Sequence, residues 1–214
     1  METTITDLHR VRKGVVDIVD VPEFGYLMID GVGAPEGDAF TAAVQALYAV
    51  SYGVRFMVKK AYGDAPKVMP LEAQWWVDDP SQQEIIAAVA AGQGSMAQTD
   101  RQRWQWRAMI AQPEPIDASL VADAAAQARV KKDLAALDRL RYERWTEGRC
   151  AQMLHVGPYA EEGPSIARLH AGIAAAGFRP RGRHHEIYIG DARRSAPEKL
   201  RTILRQPVEP STAG

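Results

Sequence analysis

The 214 residues are 46% hydrophobic and 25% charged, enough apolar material for one sizeable domain or two small ones around a shared core and too much for wholesale disorder. With 26 basic and 27 acidic residues the net charge is −1, so no general attraction to nucleic acid or to an anionic membrane is expected. A single cysteine, Cys150, excludes an intramolecular disulfide, no apolar run reaches the ~20 residues that span a bilayer, and METTITDLHRVRKG lacks the apolar centre of a signal peptide, so a cytoplasmic address is expected.

Within residues 1–20, VVDIV suits a short edge strand or an ordered arm. GYLMIDGVG, Gly25 to Gly33, reads as a buried strand ending in a glycine-rich turn, because Leu27, Met28 and Ile29 form an unbroken apolar run before Gly31 and Gly33. It lacks the Lys-Ser/Thr signature of a phosphate loop. Asp38 is expected to cap a helix to about Tyr52, with Phe40, Ala43, Val44, Leu47, Tyr48 and Val50 at near-helical spacing. VRFMVKKAY after it suits a helix or a strand. Pro66 and Pro70 then break the chain before LEAQWWV, a strand. From Ser81 to about Ala91 a helix is expected, with Ser81 as its cap and Glu84 at the capping-box position. RWQWRAMIAQ, Arg103 to Gln112, alternates and sets Trp104, Trp106, Ala108 and Ile110 on one face, as core packing or as an aromatic wall for a flat ligand.

Asp117 opens the longest expected helix, running toward about Trp145. Its Lys131, Lys132, Arg139, Arg141 and Arg144 interleave with Asp133, Asp138, Glu143 and Glu147, the pattern of a solvated face rather than a phosphate-binding stripe. RCAQMLHVGPY follows as a strand ending at Gly157-Pro158, then a helix from about Pro164 to Ala176 with Gly177 at its exit. HHEIYIGD, His184 to Asp191, is the next strand. A loop with Arg193, Arg194 and Pro197 leads to a last strand, KLRTILRQPV.

Strand alternation puts His184, Glu186 and Tyr188 on one face of HHEIYIGD and His185, Ile187 and Ile189 on the other, which is core-like. An acid and a phenol on one face can bind a cation, activate water or supply a proton. LEAQWWVDD superposes on this stretch when Asp79 is matched to Asp191, which sets Gln74 against Glu186 and Trp76 against Tyr188. Gly33 with Gly157, and Gln112-Pro113 with Gln206-Pro207, match in the same order, so the chain reads as two copies of one unit. No metal site is expected: His184 and His185 point to opposite faces, and His155 and His170 bring no carboxylate or thiol set with them. Cys150 reads as a small buried residue, and His184 as support for Glu186.

LMIDGVG, LYAVSYGVRF, VMPLEAQWW, WQWRAMIAQP, EGRCAQMLHVGPYAEE and HHEIYIGDARRSAPEKLRTILRQPV together resemble, in order and over nearly the whole chain, the stand-alone GyrI-like small-molecule-binding proteins. The resemblance implies an α+β fold of two βαββ (SHS2) modules related by a pseudo-two-fold axis, with a central ligand cleft at their junction. The first module would span about 21–115, a linking helix about 117–145 and the second module about 148–210. Relatives include drug-binding effector domains of transcription regulators, a gyrase-inhibitor protein, and a branch that hydrolyses the cyclopropane of DNA-alkylating natural products. The regulators' DNA-binding domain has no counterpart in these segments.

In the drug-binding relatives a cleft carboxylate meets the ligand's positive charge, and Glu186 is the matching position; for the hydrolase branch the resemblance points to Glu186 and Tyr188 as the catalytic pair. Glu186 would deprotonate water, and Tyr188 would give a hydrogen bond or proton to the dienone oxygen as the ring opens. If the two matched strands meet, Gln74 and Trp76 face this pair across a groove closed by Trp104 or Trp106, with His184 in support. The expected function is binding of a small aromatic or cationic organic ligand, without metal or other cofactor, coupled to hydrolytic detoxification. The alternative is sequestration of cationic aromatic drugs. The physiological ligand and the oligomeric state leave no mark in the sequence.

Overall fold

A computed structural model describes residues 3–131, 133–190 and 195–211; Lys132, Asp191, Arg193 and Arg194 lie outside them. A short helix, α1 (Ile5–Leu8), precedes a long strand, β1 (Asp17–Val32), then α2 (Asp38–Tyr62) and β2 (Leu71–Trp76). Helix α3 (Pro80–Ala90) and two single-turn 3-10 helices separate β2 from β3 (Gln105–Gln112), and α4 (Ala118–Lys131) leads to a second long strand, β4 (Arg141–Val156). Helix α5 (Gly163–Ala175) and strands β5 (Phe178–Pro180), β6 (His184–Tyr188) and β7 (Arg201–Pro210) complete the order. The units β1-α2-β2-β3 and β4-α5-β6-β7 are therefore the two βαββ copies. Gly33 and Gly157, which end β1 and β4, both have positive φ (119° and 139°), a conformation only glycine adopts without strain.

The sheet runs β4-β1-β3-β2-β6-β7, and β7 pairs back on β4, closing a six-stranded antiparallel barrel. Closure leaves these six strands without a free edge and sends alternate residues of each strand inward or outward. Inside, Tyr26, Met28 and Met109 pack with Ile5, Val21 and Cys150 with Leu8, and Leu154, Ile187 and Ile203 with Val11. Residues 5–11 thus stopper one end, fastened by the Gln152 amide donating to the Leu8 carbonyl at 3.0 Å.

Two helical layers cover the outside. Leu27, Ile29, Ala73, Trp75, Trp106, Ala108 and Ile110 meet Phe40, Ala43, Leu47, Val50 and Val54 of α2, with α4 behind. Helix α5 presses Leu169 and Ile173 onto Ala151, Met153, Leu204 and Val208. Each layer is held by burial of apolar surface at roughly 25 cal/mol per Å2. Gly31 makes the first layer possible, because a Cβ there would lie 2.3 Å from the Trp106 indole.

Several sequence expectations need correction. The DIV of VVDIV, from Asp17, is the start of β1, and VRFMVKKAY is helical because the α2 stripe continues through Val54 and Val58 to a Gly63 cap (φ 79°). Gly37, not Asp38, caps α2; Asp79, not Ser81, caps α3, accepting from the Ser81 and Gln82 amides, so Glu84 is in no capping box. The helix expected to run toward Trp145 is α4, Ala118–Lys131, and Arg141–Trp145 lie in β4. The charges of β4 answer acids across β1: Arg141–Asp30 at 3.0 Å, Arg144–Glu23 at 2.7 Å and Arg149–Asp20 at 3.0 Å. Interleaved charge looks the same on a solvated helix and on a strand beside an acidic neighbour.

Candidate functional site

The two modules meet where β2 pairs antiparallel with β6, in the register Ala73↔Glu186 and Trp75↔His184. Residues opposite one another share a face, so Trp75 lies on the outer face with His184 and Glu186, between the α2 and α5 layers. Glu186 has Ala73 on one neighbouring strand and Leu204 on the other, an apolar row that offers it no cation. The Tyr188 hydroxyl donates to Glu186 Oε2 at 2.8 Å and accepts from Trp75 Nε1 at 3.1 Å. Burial and the Glu186 charge push the Tyr188 phenol well above its ordinary value, so it stays protonated as a donor. His184 Nε2 stands 3.5 Å from Glu186 Oε1. Burial, then the proximity of His184, lowers His170 of α5 to about 4. His170 lines a groove of about 500 Å3 between α3 and α5, whose other walls are alanines and Arg168.

The turn between β4 and α5 adds two residues that sequence reasoning passed over. The Tyr159 ring meets the Tyr188 ring edge-on at 5.6 Å. Glu162 is 6% exposed, and its Oε1 has no hydrogen-bond partner among the described residues. Burial, with the Glu186 charge adding to it, raises the Glu162 carboxyl to about 10, so it is neutral at pH 7. The signal was present in VGPYAEEGP: Gly157 and Pro158 stop β4 and double the chain back over the sheet with Tyr159 and Glu162 in tow.

The expected aromatic wall shifts by one residue. Gln74 and Trp76 lie on the face opposite Glu186 and Tyr188: Gln74 is in register with His185, and Trp76 stacks under the Arg183 guanidinium at 3.5 Å. Matching Asp79 to Asp191 equates even positions of β2 with even positions of β6, whereas the pairing register puts odd residues of β2 beside even residues of β6. Trp75 takes the place expected of Trp76. Of the two β3 indoles, Trp104 is half-buried and packs edge-on to Trp75 at 5.7 Å, beside the site. Trp106 is fully buried against Phe40 as core.

The inner face of β6 is not the apolar surface expected. His185 Nδ1 lies 3.0 Å from Glu147 Oε1 and its Nε2 lies 3.1 Å from Glu72 Oε2, while Arg205 Nη1 lies 3.2 Å from Glu147 Oε2. Arg205 Nε also donates to Gln152 Oε1 at 3.0 Å. Burial alone would lower His185, but Glu147 and then Glu72 outweigh it and bring the imidazole up to about 9. Burial alone would raise Glu147, but His185 and Arg205 bring it down to about 2. Glu147, which sequence assigned to a solvated helix, is 2% exposed. Among the described residues no group of three or more His, Cys, Asp or Glu side chains is arranged to hold a metal ion, and no helix is long and apolar enough to cross a membrane.

The outer arrangement combines an anionic carboxylate steadied by a phenol, a neutral carboxyl and an indole wall, the elements of acid–base chemistry on a flat organic molecule. A family model described as a GyrI-like small molecule binding domain matches residues 15–209. Among solved structures, an uncharacterized conserved protein from Listeria innocua is 33% identical, covering 96% of this chain and 97% of its own at a TM-score of 0.82. A hydrolase from Listeria innocua is 32% identical, covering 95% of this chain and 96% of its own at a TM-score of 0.77. The C-terminal domain of EcmrR shares the fold at 11% identity, covering 92% of this chain and 98% of that domain at a TM-score of 0.51. A comparison with curated proteins finds no match.

Proposed function

The chain belongs to the GyrI-like small-molecule-binding family, and from that premise we propose that it hydrolyses cyclopropane-bearing aromatic alkylators, with Glu186 as general base. The observation that carries this reading is the Glu186 carboxylate itself, fixed through Oε2 by Tyr188 in an apolar row beside the Trp75 and Trp104 indoles. A hydrolase of 32% identity supports it.

In a spirocyclopropane fused to a dienone, water adds to a ring CH2 carbon and loses a proton to Glu186. The C–C bond breaks as the C–O bond forms, and its electron pair passes into the dienone, whose oxygen becomes a phenol on gaining a proton. Tyr188 holds one carboxylate oxygen and leaves Oε1 for the water, on the side of His184. Trp104 and Trp75 give the planar substrate a stacking wall. The product no longer alkylates.

Incubation of the purified protein with a spirocyclopropyl dienone, followed by mass spectrometry, tests this. The expected result is gain of one water, with the rate falling on the order of 10²–10⁴-fold in Glu186→Gln. Unchanged compound, or undiminished turnover in the variant, would defeat it. A second reading is favoured by the single negative charge left when Glu162 is neutral: sequestration of cationic aromatic compounds without conversion. Tight dye binding lost in Glu186→Gln, with no product from any cyclopropane, would select it.

A further inference from the structure

Ring opening leaves a proton to be delivered to the oxygen where electrons collect, and Tyr188 is badly placed to deliver it. Its one hydroxyl hydrogen is directed to Glu186 Oε2, and its oxygen already accepts from Trp75 Nε1. Glu162 is less committed: the Thr202 hydroxyl faces its carboxyl, but Oε1 has no hydrogen-bond partner among the described residues. It is the residue preceding α5, and its side chain makes no bond to the amides of the first helical turn. Instead its carboxyl is buried, with Oε1 unpartnered among the described residues, on the turn whose Tyr159 ring meets Tyr188 and beside Thr202, the residue in register with Tyr188.

We propose that Glu162 is a second catalytic residue, the acid that protonates the developing oxyanion while Glu186 takes the proton of water. This rests on the hydrolytic reading of the site. The balance is complete without any further reactant. The water oxygen bonds to carbon, the cyclopropane C–C bond breaks, and its electron pair reaches the dienone oxygen, which takes the Glu162 proton. Glu186 is left protonated and Glu162 ionised, and one proton passing from the first to the second restores the resting site. The resting distribution already favours this order, since burial and the neighbouring Glu186 charge keep the proton on Glu162 at neutral pH.

The test is a series of spirocyclopropyl dienones whose product phenols range from weakly to strongly acidic, run with the wild type, Glu162→Gln, Glu162→Asp and Glu186→Gln. An acidic phenol leaves as its anion and needs no proton. Glu162→Gln is therefore expected to lose on the order of 10²–10³-fold on the least acidic phenol, with the loss vanishing toward the most acidic. Glu186→Gln is expected to lose a similar factor across the whole series. Glu162→Asp keeps a proton and should retain the shallow dependence of the wild type at a lower rate; should Glu162→Gln not fold, as judged by thermal unfolding and dye binding, this variant decides. A uniform loss or no loss in Glu162→Gln, or a steep dependence in Glu162→Asp, overturns the proposal. If the wild type turns over and Glu162→Gln is indifferent, only this inference fails; if the wild type turns over nothing in the series, the hydrolytic reading fails with it.

Discussion

The two faces of β6 hold ionisable side chains one residue apart and treat them in opposite ways. Inside the barrel His185 is clamped between Glu147 and Glu72, Arg205 answers Glu147, and none of the four is more than 2% exposed. Two cations face two anions, and although both Glu72 oxygens, His185 Nε2 and Arg205 Nη2 lack a hydrogen-bond partner among the described residues, the charges balance. Outside, Glu186 has a hydrogen bond from a phenol and the His184 imidazole 3.5 Å away, and the neighbouring Glu162 carboxyl stays neutral. Buried charge that is matched specifies how strands seat; buried charge matched only in part, between two helical layers, is available to a ligand.

The comparison breaks most visibly at Glu147. Glu147→Ala leaves Arg205 without its carboxylate and His185 with Glu72 alone, and denaturant unfolding is expected to show a loss of about 3–5 kcal/mol, the cost of orphaning buried charge. Glu186→Gln, on the other face, should shift unfolding by about 1 kcal/mol or less, because one hydrogen bond to Tyr188 survives in altered form, while its effect appears in turnover.

pH separates the faces next. Because His185 is raised above the unfolded value of 6.5 to about 9, its contribution is complete below pH 6.5 and is lost as pH rises through 9. Glu147, lowered from 4.5 to about 2, contributes above pH 4.5 and loses that contribution as pH falls through 2. Thermal unfolding across pH 6 to 10 should therefore show an alkaline decline that is absent in His185→Asn, measured against that variant's own neutral-pH stability. A similarly small effect on unfolding is expected at Trp75→Phe, which keeps a ring against Phe40 and Trp104 but removes the donor to Tyr188, costing about 1 kcal/mol. If that variant changed unfolding far more than turnover, the indole would belong with the core rather than the site.

The sequence made the repeat legible because Gly33 and Gly157 are needed for the same backbone reason, and it made the outer face of β6 legible because alternation in a strand is strict. The parity of the second strand was not legible. Trp75 and Trp76 are identical in type and adjacent, so composition cannot say which faces Glu186, and only the pairing register decides. Arg141 to Glu147 read as helix because their partners, Asp30 and Glu23, lie more than a hundred residues upstream and no local pattern reveals them. His185 looked like part of an apolar face because its neutralising carboxylates come from β2 and β4. Glu162 sits just before a glycine and a proline that open α5, and no local pattern reveals that its carboxyl is buried beside the site.

The stopper at the end of the barrel carries a consequence for biosynthesis. Val11 seats against Leu154, Ile187 and Ile203, and Leu8 against Cys150, so residues 5–11 leave the ribosome long before their binding partners have been made. Until β7 is complete, Ile5, Leu8 and Val11 are sticky side chains in search of a socket, and such late long-range closure is slow and open to misassociation. A nascent-chain binding factor that shelters these few residues should raise the yield of folded protein, and shaving them off should leave every strand in place yet admit water to the charges around His185.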